Sequence, residues 1–118
     1  MSKPWHIRRD AGGLTLSRQP VAQFDVSASA GFPPLRMLRL AQMIRQDMWR
    51  RLQGLRGFSP VVQVRRGDDG LCVTAGGAVA GRFPKAHTEA QIDALLHDPA
   101  LRARWQRCAL LTHGKVLV

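Results

Sequence analysis

The chain reads as a single α+β domain: an antiparallel sheet, made of an N-terminal hairpin plus a three-strand meander, packed on one long helix and a C-terminal helix pair. Three observations predict this. Apolar residues recur at helical spacing through one long stretch, 34–57. Alternating and β-branched segments lie on both sides of it, punctuated by Gly- and Asp-rich turns. The strands come in hairpin groups, whereas parallel βαβ units would alternate strand and helix. A length of 118 residues suits one small globular domain, 1–118, that buries most of its apolar surface without staples. At 45% hydrophobic residues, the composition is that of a folded chain.

Residues 5–18 form the expected hairpin. Trp5, Ile7 and Arg9 alternate with His6 and Arg8, Asp10-Ala11-Gly12-Gly13 is a turn signal, and Leu14 and Leu16 alternate with Thr15 and Ser17. Pro20 ends the second strand or places it at an edge. Residues 21–33 mix a short apolar piece with small residues. They read as a possible strand and then a loop, and the whole segment is taken as irregular.

The organising element is Pro34–Gly57. Met37, Leu40, Ala41, Ile44, Met48, Leu52 and Leu55 repeat at helical spacing, and Arg36, Arg39, Gln42, Gln46, Arg50 and Gln53 take the other side. Pro34 is placed in the first turn, and Gly54 and Gly57 are candidate C-terminal stops. Such a helix would run roughly 30 Å. Its six arginines against the single Asp47 give +5, half of the formal net charge of +10.

The meander is expected from Pro60–Arg66, Leu71–Ala75 and Ala78–Phe83. Gly67-Asp68-Asp69-Gly70 supplies the first turn and Gly76-Gly77 a two-residue hairpin turn. Thr88 with Gln91 matches a capping box and opens a helix whose Ile92, Leu95 and Leu96 face inward. Asp98-Pro99 breaks that helix and starts the last one, with Leu101, Trp105 and Cys108 as its inward stripe and Gly114 as its end. Val116–Val118 frays or adds a short edge strand.

Function is far less constrained than fold. Eighteen Lys and Arg against eight Asp and Glu attract polyanions: nucleic acid, anionic lipid or an acidic protein surface. Fifteen of the eighteen are Arg, which forks onto phosphate and stacks on flat faces. The residues expected to meet nucleic acid or an acidic partner are Arg36, Arg39 and Arg50 on the long helix. Arg65 and Arg66 before the Gly67–Gly70 turn, and Arg82 and Lys85 near the meander's exit, complete the set. Met43 falls on the polar face of the helix as a possible apolar contact. Trp49, at the border of that face, is expected at the core's rim, with stacking on a base as its functional alternative.

Several classes are set aside. There is no glycine-rich phosphate loop, no H-E-x-x-H, no zinc spacing and no RNP-like aromatic octamer, so no metal, no cofactor and no enzymatic chemistry are expected. His6, His87, His97 and His113 are scattered, and Cys72 and Cys108 fall in different elements. A helix-turn-helix reading of the last two helices fails on the tight His97-Asp98 connection and on arginines spread around the helix. No run is long and apolar enough to span a membrane, and the two separated cysteines fit a reducing compartment, so the cytoplasm is expected. The leading expectation is a small, basic, non-enzymatic protein that holds RNA or DNA mostly by its phosphates. The alternative is a protein-interaction module (an adaptor, assembly factor or small subunit) that meets an acidic partner through the Arg- and Met-bearing helix.

Overall fold

At the N-terminus, β1 (His6–Asp10) and β2 (Gly13–Ser17) close a hairpin in which Asp10 pairs with Gly13. The turn is held by Asp10, whose Oδ1 accepts from the amides of Gly12 at 2.8 Å and Gly13 at 3.1 Å. The structure is a computed structural model that describes residues 5–111; the last helix stops at Cys108, short of the expected end at Gly114, and the tail 116–118 lies outside the described residues.

Three further strands, β3 (Val26–Phe32), β4 (Phe58–Arg66) and β5 (Leu71–Val79), complete a five-stranded, wholly antiparallel sheet in the order β1-β2-β4-β5-β3. The α+β class, the hairpin and the antiparallel sheet stand as the sequence predicts, but the meander's third strand is corrected. Gly76-Gly77 makes no turn. β5 runs straight through both residues, and 80–84 is the connection to the next helix. Gly76 sits between Ser27 of β3 and Val61 of β4, and a Cβ there would run into the Val26 carbonyl oxygen. A Cβ on Gly77 would run into that of Ser59. These glycines let two neighbouring backbones approach, as strand glycines often do.

The sheet's fifth strand comes instead from the segment read as irregular. β3 alternates Val26, Ala28, Ala30 and Phe32 toward the core with Ser27, Ser29 and Gly31 between. Small residues have little strand preference of their own, so it is the long edge offered by β5 that makes this segment a strand. Its outer edge is covered by the second helix, whose Glu89 accepts from the Ser27 amide at 3.1 Å.

The helices cover one sheet face. α1 (Met37–Arg51) is shorter than Pro34–Gly57: Arg36 is the N-cap, without a side-chain cap, and the helix stops before either glycine. Its buried residues Leu40, Ala41, Ile44, Met48 and the following Leu52 meet the inward row Leu14, Leu16, Val62, Val64, Val73 and Ala75. The opposite row across the sheet, Thr15, Gln63, Thr74 and Ser29, faces away and is partly exposed.

α2 (Lys85–Leu96) begins three residues before Thr88, so the capping box is corrected: Thr88 is buried inside the helix and its hydroxyl donates to the Pro84 carbonyl at 2.9 Å. Ile92, Leu95 and Leu96 are buried as expected. α3 (Pro99–Cys108) starts as predicted, with Asp98 Oδ1 accepting from Ala100 at 2.9 Å and Leu101 at 3.1 Å. Its Trp105 is fully buried, while Leu101 and Cys108 are half-buried. None of the described helices is long and apolar enough to cross a membrane.

Candidate functional site: a pocket of arginine and tryptophan

The pairing of β1 with β2 matches His6 to Ser17, so the next pair outward at the hairpin's open end is Trp5 with Arg18. The Arg18 amide donates to the Pro60 carbonyl at 3.1 Å, which ties this end to the start of β4. On α1, Arg45 and Trp49 stand one turn apart and share a face. These elements converge on a pocket of about 260 Å³ lined by Trp5, Arg18, Arg45, Trp49, Phe58 and Pro60.

Both arginines sit over the same ring. The guanidinium carbon of Arg45 is 4.5 Å from the Trp5 centroid and that of Arg18 is 5.5 Å from it. The electron-rich indole face attracts both cations and holds two like charges near one another. None of the six lining residues is acidic. Arg45 Nε is buried and has no hydrogen-bond partner among the described residues. Burial, and after it the positive charge of Arg18, hold the Arg45 guanidinium below its ordinary pKa. Trp49 at the rim is 49% exposed. The pocket therefore offers cationic forks and an open aromatic surface over an apolar floor of Phe58 and Pro60, a combination suited to a flat, negatively charged group.

The structure divides the arginines that the sequence singles out. Four are tied into the fold. Arg36 Nη2 donates to the Cys108 carbonyl at 2.9 Å and its amide to that of Ala109 at 2.8 Å, so it satisfies the C-terminal end of α3. Arg50 pairs with Asp47 at 3.2 Å, Arg65 Nη1 with both Asp10 oxygens at 2.7 and 2.9 Å, and Arg66 donates to the Ala11 carbonyl at 3.1 Å. Lys85 is exposed near Asp25 and helps lower that carboxyl's pKa. Arg39 and Arg82 are exposed and make no hydrogen bond or ion pair among the described residues.

The set is not gathered into one patch. Arg65 lies five residues along β4 from Pro60, roughly 17 Å from the pocket end of the strand. Met43 is corrected: it is 8% exposed and belongs to the core, because β2, β4 and α3 together cover a wider arc of α1 than one apolar stripe. Trp49 lies at the rim, half-exposed.

Sequence reasoning missed Trp5, Arg18 and Arg45 as site residues. The Arg45–Trp49 spacing is a visible helical pair, and the Trp5–Arg18 match follows from the hairpin register. That the two pairs meet is a tertiary fact. Among the described residues no group of three or more His, Cys, Asp or Glu is placed to hold a metal ion, and Cys72 and Cys108 are both free. Comparison with family models, with curated proteins and with solved structures finds no match to this chain.

Proposed function

We propose that the protein is a non-enzymatic nucleic-acid-binding protein that holds its ligand chiefly by phosphates. The observation that supports this reading most directly is the pocket in which Arg18 and Arg45 both lie over the Trp5 ring with no acidic residue in the lining. Elsewhere the surface carries surplus charge: Arg9, Arg39, Arg51, Arg56, Arg82 and Arg107 are exposed and pair with no carboxylate among the described residues. Arginines left in this state bind phosphate oxygens and release counterions, so affinity falls with salt.

The test is a binding titration with single- and double-stranded DNA and RNA of equal length at about 50 and 200 mM salt. Binding that survives the higher salt, or prefers one nucleic acid, is the expected result. Loss of binding to every oligonucleotide alike would leave only a basic surface and would sink the reading. A second reading, an interaction module for an acidic protein, draws on the exposed Trp49 beside Arg45, since Trp and Arg are enriched at protein interfaces. It loses the support of Met43, which is buried.

A further inference from the structure

We infer that the pocket captures one unpaired nucleotide, with the base stacked on the exposed face of Trp49 and the phosphate held by Arg18 and Arg45. The inference rests on the nucleic-acid reading and goes beyond it, because it says that the surface selects single strands and reads a base face as well as a phosphate.

Two features favour a nucleotide over a bare anion, and a third favours its phosphate. The first is the division of labour between the two tryptophans. Trp5 carries both guanidinium groups over its ring and is thereby a positioning residue for the two cations that line the pocket. Trp49 has no such cover and is half-exposed at the rim, one helical turn from Arg45. An aromatic surface next to a pair of phosphate forks is the arrangement by which single strands are held without sequence preference.

The second feature is size. At about 260 Å³ the pocket falls just below the roughly 300–1,000 Å³ of sites for drug-sized ligands, which suits one ring with its phosphate. A base within a duplex already stacks on both faces and cannot present one to Trp49 unless it is first unstacked. The third feature is the state of Arg45. Its Nε is a buried donor with no acceptor among the described residues, and its charge is disfavoured by burial and by Arg18. A phosphate bound by both arginines neutralises that repulsion and offsets the cost of the buried charge.

The three tryptophan indole N–H signals make the test direct. Isotope-labelled full-length protein is titrated with adenosine monophosphate, adenosine and inorganic phosphate, while the indole signals of Trp5, Trp49 and Trp105 are followed by NMR. Adenosine monophosphate should shift Trp5 and Trp49 saturably, and bind at least about fivefold tighter than either fragment, because stacking and phosphate contacts add. Trp105, buried against Asp47, should stay in place and report that the fold is intact. Trp49→Leu should remove the preference for the nucleotide over phosphate, and Arg18→Gln or Arg45→Gln should weaken both ligands.

Equal affinity for adenosine monophosphate and phosphate would overturn the inference, as would shifts that ignore all three substitutions. If single strands bind at the higher salt while the nucleotide gives no saturable shift, the inference falls and the phosphate-binding reading stands. If the nucleotide saturates the pocket while no oligonucleotide binds, the pocket is upheld and the nucleic-acid reading falls.

Discussion

Asp47 of α1 accepts a hydrogen bond from the indole Nε1 of Trp105 on α3 at 2.7 Å, and both side chains are buried. The same carboxylate oxygen takes Arg104 and the other takes Arg50 at 3.2 Å, so the only acid on α1 joins two helices through three donors. A carboxylate that is 7% exposed is costly unless its lone pairs are filled. We predict that Asp47→Ala destabilises the fold by about 2–3 kcal/mol, since it strands the buried indole N–H and takes the carboxylate from two arginines. Trp105→Phe, which removes one donor to a charged acceptor, should cost about 1.5–3 kcal/mol. Urea unfolding measures both, and a loss below half of the lower figure for Asp47→Ala would mean that the network is solvated and weak.

Two glycines should respond in opposite ways. Gly76→Ala places a Cβ against the Val26 carbonyl and should cost about 1–3 kcal/mol or more, because two paired strands must move apart. Gly54 follows α1 in open space, without a positive φ, so Gly54→Ala should stabilise by roughly 0.4–1 kcal/mol through the unfolded chain. Thermal melts of the pair check the claim; a tolerated Gly76→Ala would indicate that β5 does turn at the Gly-Gly pair.

Two of the three methionines of α1, Met43 and Met48, test its buried face. Met48 is fully buried, so Met48→Ala should cost about 2–5 kcal/mol. Met43→Ala should also destabilise, by about 2 kcal/mol, because the residue is core. If chemical denaturation finds Met43→Ala neutral, that side chain is at the surface, as helical spacing alone suggests.

Acid should loosen the hairpin and the far end of β5. The Asp10 carboxyl is held below its ordinary pKa by the Gly12 amide first, and also by Arg65; that of Asp25 is lowered by the Val79 amide and the Gln23 side chain. A carboxylate whose folded pKa is depressed contributes stability above its unfolded pKa, and that stability is lost as pH falls through the folded value. The loss should therefore begin near about pH 4 and grow below it. Asp10→Asn should flatten this acid limb by lowering stability at neutral pH, where the carboxylate contributes, while changing the curve little below the folded pKa. An unchanged acid limb would show that the turn hydrogen bonds do not discriminate between carboxylate and acid.

Free arginines are the right probes of the proposed binding surface. Arg50→Ala also strips a partner from Asp47, so a loss of binding would be mixed with a loss of stability. Arg39→Ala and Arg82→Ala break nothing within the described residues. Each should reduce the salt slope of single-strand binding by about 0.7 if it contacts a phosphate, with unfolding unaltered. Unchanged slopes would remove both residues from the interface and confine it to the pocket.

What the chain determined by itself lies where chemistry is local. Asp10 ahead of two glycines makes a turn whatever surrounds it, Asp98-Pro99 starts a helix through its own side chain and ring, and the apolar repeat of 37–52 winds α1 and turns most of its buried face inward. The tertiary structure decided whatever depends on a partner distant in sequence. Gly76-Gly77 is locally a good hairpin turn, and only the carbonyls of Val26 and Ser59, pressing from either side, make it the middle of a strand. Val26–Phe32 has the alternation of a strand but residues too small to impose it, so it forms one where β5 supplies an edge. Asp47 is in the sequence a lone acid among arginines, and only the packing of α3 brings an indole to it. Likewise Trp5 and Arg18 on the hairpin and Arg45 and Trp49 on the helix become a site only because α1 packs across β2 and β4, a contact between segments about 30 residues apart that no local pattern records.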